Sequence, residues 1–214
     1  MTTHSPSLPR SPLARDIGVV LMGTAIILAV PAIAMQFSDE VKWSPFDFVA
    51  AGFSLGGSGA MLVILRRRSA NASYRIGIGM SIFTALLLAW VNGAVGIIGS
   101  EDNPMNLLYF LVLLGCLIGA FVSRFEASGL VRTLFVTAIA VACVPVIAFI
   151  IMRPPLDIGL FRVFILNAAF AMLFAGAGAC FLRATRESRR DGPCRSNGCM
   201  AAGGDVQSPP RHEE

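Results

Sequence analysis

The sequence predicts an all-α fold: a polytopic transmembrane helical bundle of six spans, with both termini on the cytoplasmic side. Three observations carry that prediction. The 214 residues are 55% hydrophobic and only 14% charged, with a mean hydropathy of +0.71. A soluble domain spreads about 25% charged residues over its surface, so this chain has roughly half the usual share. Second, the apolar residues gather into runs near the ~20 residues that ~30 Å of hydrocarbon requires. Third, the basic residues fall almost entirely on one side of those runs. Such a composition excludes an ordinary cytosolic enzyme, a nucleic-acid-binding domain and a disordered chain.

Taken in order, residues 1–16 are rich in Ser, Pro and Arg, have no apolar period, and read as a disordered cytoplasmic segment. The first span is Ile17–Met35. It ends in Pro31-Ala32-Ile33-Ala34, whose Ala-x-Ala also fits a signal-peptidase site; cleavage there would leave five spans. The apolar stretch is as long as a full span and the leader is long, so six are retained. The second span, Phe48–Leu65, opens at Asp47, a capping residue, and carries Gly52, Gly56 and Gly59 on one face. The third is Ile76–Gly99, with Asn92, Gly96 and Gly99 in line. Asn103 and Pro104 read as N-cap and first helical residue of the fourth, Leu107–Ser123, where Gly115 and Gly119 share a face. The fifth is Thr133–Met152. The sixth, Leu160–Leu182, sets Ala171, Ala175 and Gly178 in line with Asn167. The transmembrane domain is therefore 17–182, and 183–214 is a basic, mostly disordered cytoplasmic tail.

Period-two alternation, which a lipid-facing barrel needs, is missing from every run. The connections are short, so consecutive helices should be antiparallel neighbours. Of the 17 lysines and arginines, all but Lys42, Arg153 and Arg162 lie on the side of the two termini. The positive-inside rule makes that side cytoplasmic in a bacterial inner membrane. The positive charge then reports topology and contact with anionic lipid, with no nucleic acid implied.

Small residues at helical spacing let helix backbones approach closely, so these faces read as packing surfaces within the bundle. A broken helix at Gly52–Gly59, opening a substrate site, is the sharper alternative. Pro31 and Pro145 each remove a backbone hydrogen bond in the first and fifth spans, in similar flanking text, which hints at a duplicated hairpin. Cys116, Cys143 and Cys180 lie in separate spans as small apolar fillers. Cys194, Cys199 and His212 make a poor zinc set, and no cofactor is expected.

Polar intrusions are few. Asn92 and Asn167 sit at matching depth, about 10 Å below the outer surface, where they could bond each other or a backbone carbonyl. No Asp, Glu, Lys or His lies near a span centre, which argues against a proton-coupled transporter. Outside, Asp39, Glu40, Asp47, Glu101, Asp102 and Asp157 outnumber the basic residues; they either cap helices or gather cations.

The most distinctive text is W-V-N-G-A-V-G-I-I-G-S-E-D-N-P-M-N-L-L-Y at Trp90–Tyr109, with D-F-V-A-A-G at Asp47–Gly52. It resembles the W-x-N-x-A-V-G-I-I-G-x-E-x-N-P-x-N-x-M-Y pattern of a bacterial family of small multi-spanning membrane proteins of unknown function. Leu108 departs from that pattern, and the likeness covers the second to fourth spans. It implies a membrane location and a span layout, and no activity. The candidate functional residues are Trp90, Asn92, Glu101, Asp102, Asn103 and Asn106 at the outer end of one hairpin, with Asn167. That loop either binds a cation, a lipid headgroup or a partner, or is a well-capped turn. With no catalytic constellation in view, the reading is a non-enzymatic structural or accessory protein acting through helix–helix contacts. Its partners are the lipid bilayer and a membrane protein or second copy. The alternative is a small-solute or ion transporter with an outer site near Asn92 and Glu101–Asn106.

Overall fold

Polar side chains set where the second and third helices begin. In the computed structural model, which describes residues 13–37, 42–100, 102–153 and 158–191, Ser44 is the N-cap of the second helix. Its hydroxyl accepts the Asp47 N–H, and the Asp47 carboxylate accepts the Ser44 N–H at 2.7 Å, a reciprocal capping box. Asn71 caps the third helix by accepting the Tyr74 N–H at 3.0 Å. The elements are α1 Leu13–Phe37, α2 Pro45–Arg67, α3 Ala72–Ala94, a 3₁₀ turn Pro104–Asn106, α4 Leu107–Val122, α5 Ala127–Met152 and α6 Ile158–Asp191. There is no strand among the described residues.

Several boundaries depart from the apolar runs. The third run extends to Gly99, but α3 stops at Ala94. Gly96 and Gly99 both take a φ of +71°, a left-handed conformation that glycine reaches without steric cost. They therefore shape the connection instead of continuing a helix face below Asn92. α5 begins at Ala127, ahead of Thr133, because a hydropathy run is interrupted by Arg132 while a helical backbone is not. For the same reason α6 continues past Leu182 through a charged stretch to Asp191. The remaining residues of 1–16 and 183–214 lie outside the described residues. α2 is unbroken through Gly52–Gly59, which removes the discontinuous-helix alternative. α1 and α5 also continue through Pro31 and Pro145.

Packing is not a simple succession of hairpins. α3, α4, α5 and α6 close a ring, α5 and α6 being the most extensively joined pair and α3 packing on α6 as well as on its sequence neighbours. The contacting faces recur every three or four residues, as helices demand. On α6 they are Asn167, Phe170, Phe174, Ala177, Phe181 and Ala184; on α5 they are Leu130, Leu134, Ala138, Val141, Val144 and Ala148. Tyr74 meets Phe181 edge to face at 5.3 Å. Gly77 allows that approach, since a Cβ there would lie 2.9 Å from the Phe181 ring.

The α1–α2 hairpin is appended to this ring through α2 on α3. The glycine face of α2 is occupied by α1: Leu28 stands against Gly52, Leu21 and Thr24 against Gly56, and Val20 against Gly59. An Asp16–Arg67 ion pair joins the arginine-rich ends of the two helices. Yet no residue of α1 is buried, and Val19, Met22, Ile26, Val30 and Ile33 all face outward. A water-soluble helix would turn such residues to a core. Among the described residues six helices are long and apolar enough to cross a membrane, an arrangement compatible with a multi-pass membrane protein.

Candidate functional site

Between α3 and α4 the chain must turn without helical hydrogen bonds, and side-chain amides supply the missing partners. Asn106, 4% exposed, is the centre of this turn. Its Oδ1 accepts the Ile98 N–H at 2.9 Å, while its Nδ2 donates to the Ser100 carbonyl at 2.7 Å and, more weakly, to the Ile98 carbonyl at 3.5 Å. One side chain thus imitates a short strand and pins the loop of Gly96 to Ser100 over the start of α4. The backbone carbonyl of Asn106 in turn accepts the Asn92 Nδ2 at 2.9 Å, tying the loop to α3.

Asn103 does cap a helical turn that opens with Pro104, accepting the Met105 N–H at 3.0 Å, but that turn is the 3₁₀ segment ahead of α4, whose own N-cap is Asn106. Its amide nitrogen reaches the Met152 sulfur on α5 at 3.6 Å. Asp102 is exposed and its side chain makes no hydrogen bond among the described residues. Glu101 lies outside the described residues. Among the described residues no three His, Cys, Asp or Glu side chains come together.

Asn167, 1% exposed, belongs to a second polar link deeper in the ring. The Tyr109 hydroxyl donates to its Oδ1 at 2.9 Å, and its Nδ2 donates back to the Val163 carbonyl at 2.8 Å. Asn92 and Asn167 therefore do not bond each other; each takes a backbone carbonyl instead. Tyr109 closes the distinctive W…Y stretch but carried no signal of its own in the sequence. Its position three residues after Asn106 is the cue, since that spacing sets both on one side of the entry to α4.

Trp90 is separate from both groups. It is 42% exposed and packs its ring against Trp43, with centroids 6.0 Å apart. Trp43 also meets Phe48 at 5.2 Å. Paired tryptophans beside the N-terminal end of α2 and the C-terminal end of α3 would suit an amphipathic boundary between hydrocarbon and water.

Of the seven candidates, then, Asn92, Asn103 and Asn106 are brought together, Asn167 and Trp90 stand apart, Asp102 faces out, and Glu101 is outside the described residues. One polar atom is left over. Asn92, 2% exposed, has an Oδ1 with no hydrogen-bond partner among the described residues. An N–H or O–H from water or from a small polar ligand would satisfy it. The other side-chain amide groups tie the turn to itself, to α3 and to α5, so the arrangement behaves as a clamp on the hairpin. No family model, no curated protein and no solved structure matches the chain.

Proposed function

We propose that the chain is a multi-pass protein of the bacterial cytoplasmic membrane, with both termini on the cytoplasmic side, and that it acts as a non-enzymatic accessory through helix–helix contact. The observation that supports this most is the contrast between a filled interior and an unpartnered exterior. Inside the ring, Leu88, Tyr109, Phe174 and Phe181 are fully buried, so side chains occupy the space where a solute path would run. Outside, α1 packs substantially on α2 alone and turns the rest of its apolar circumference away from the chain. Retention of α1 as a span is favoured by its seating on the α2 glycines and by unbroken helix through Ala32–Ala34. The orientation rests on the arginines at the ends of α2, α4 and α6.

Purification of the tagged protein from its own membrane in mild detergent, with mass spectrometry of the peak, tests the role. A membrane protein should co-elute in fixed stoichiometry. A lone species contradicts the accessory reading. The transporter reading rests on the orphan oxygen of Asn92 and has its own test. If Asn92→Leu abolished flux of a solute while leaving the protein folded, that reading would replace this one.

A further inference from the structure

The arginine-rich end carries a cleft that the outer clamp does not explain. It has a volume of about 1020 Å³ and opens between the start of α3, the α4–α5 turn and the end of α6. Four arginines line it, Arg68, Arg124, Arg132 and Arg189, against one carboxylate, Glu126. None of the four is in an ion pair among the described residues. The nearby Glu187 makes no ion pair with them among the described residues and instead accepts from Asn71 at 2.9 Å and from the Ser73 hydroxyl at 3.2 Å, so four arginines stand against two carboxylates. Positive charge is thus in excess there.

The turn that holds it is strained and pinned. Arg124 and Phe125 have φ of 51° and 58°, which residues with a Cβ seldom adopt. The Tyr74 hydroxyl donates to the Phe125 carbonyl at 2.7 Å, and the Arg68 guanidinium donates to the Arg124 carbonyl at 2.9 Å. Backbone strain of this kind persists where surrounding contacts over-determine it, and it concentrates at ligand sites. The N-terminus of α5 is also on the cleft wall, and its N-cap, Glu126, makes no side-chain capping bond. First-turn N–H groups there remain available to an anion.

An independent feature says what kind of anion. Phe125 also lines a second space, a groove of about 330 Å³ between α2, α3, α4 and α5. It exists because α2 packs on α3 without substantial packing on α4 or α5. Met61, Ile82, Leu113 and Leu134 supply its walls. Its serines are spent locally: Ser54 donates to the Ala50 carbonyl, Ser58 to Leu55 and Ser81 to Gly77. The groove therefore presents an apolar lining at membrane depth, next to a basic cleft at the membrane edge.

We propose that this chain binds an anionic phospholipid of the inner leaflet, with its phosphate among Arg68, Arg124, Arg132 and Arg189 and an acyl chain in the groove past Phe125. The assignment rests on the membrane reading given above. A free phosphate would satisfy the cleft but leave the groove unexplained, and a neutral lipid would fill the groove but leave the excess positive charge unmatched. Basic pockets on the cytoplasmic side of helical bundles suit such headgroups.

The test uses the full chain in a mild non-ionic detergent and follows its Tm. Added phosphatidylglycerol should raise Tm by about 5 °C near saturation. Phosphatidylcholine with the same acyl chains, and water-soluble glycerol phosphate, should each leave it unchanged. The double variant Arg132→Gln/Arg189→Gln loses no hydrogen bond among the described residues, so its Tm without lipid should match the parent. Its response to phosphatidylglycerol should be lost. Equal stabilisation by phosphatidylcholine, stabilisation by glycerol phosphate alone, or an unchanged response in the double variant would each overturn the site. A chain that stays in solution without detergent would instead overturn the membrane reading itself.

Discussion

Replacing Gly77 by leucine should destabilise the bundle by about 3 kcal/mol, the upper range for overpacking a filled core. A Cβ at this position would stand 2.9, 3.0 and 3.1 Å from three atoms of the Phe181 ring. That ring has no room to retreat. Phe181 is fully buried and held edge to face by Tyr74, and both belong to the core shared by α3 and α6. Leucine would have to push Phe181 outward, and α6 with it. Gly115 supplies the contrast, because nothing lies within 4 Å of a Cβ built there. Gly115→Ala should be neutral or stabilise by up to about 1 kcal/mol, the cost of glycine in a helix interior. Denaturation of both variants in mixed detergent micelles, read by circular dichroism, measures the difference. Equal effects would mean that α3 and α6 do not meet at Gly77.

Asn106→Leu should destabilise the α3–α4 hairpin by about 2 kcal/mol, within the range for leaving one buried backbone group unpaired. The substitution removes the acceptor for the Ile98 N–H and the donor to the Ser100 carbonyl together. Ser100 is exposed and its carbonyl can turn to water, but Ile98 is buried and its N–H cannot. The loss should be local, appearing as faster backbone hydrogen exchange over residues 95–100. Leu107→Ala, at the adjacent and largely exposed position, should change exchange little. Equal protection in Asn106→Leu and the parent would remove the clamp from this account.

These two residues mark what the sequence reveals and what it conceals. Asn106 was legible as a candidate because an asparagine beside a helix start in a polar run has few roles other than capping or binding. Its actual bonds were not legible, since they depend on the left-handed turns at Gly96 and Gly99, which apolar counting absorbed into the third span. Gly77 was not singled out at all, while Gly115 was. Spacing identifies a face but not what lies opposite it. The same limit separates Asn92 from Asn167: residue counting fixes depth along an axis but not rotation about it. The α3–α6 contact escaped for a related reason, because short connections predict sequence neighbours and say nothing about which distant helix closes a ring. Six apolar helices, by contrast, were readable from composition and run length, as these depend on no partner.

Cysteine labelling tests the central claim, a six-span membrane bundle with the arginine-rich end inside. In a variant lacking the native cysteines, Ser100→Cys lies in the exposed α3–α4 connection and Ala70→Cys in the exposed α2–α3 connection. With a membrane-impermeant maleimide, Ser100→Cys should react in intact spheroplasts, and Ala70→Cys only after the membrane is opened. Reaction of Ala70→Cys in intact spheroplasts, or recovery of the protein without detergent, would contradict the account.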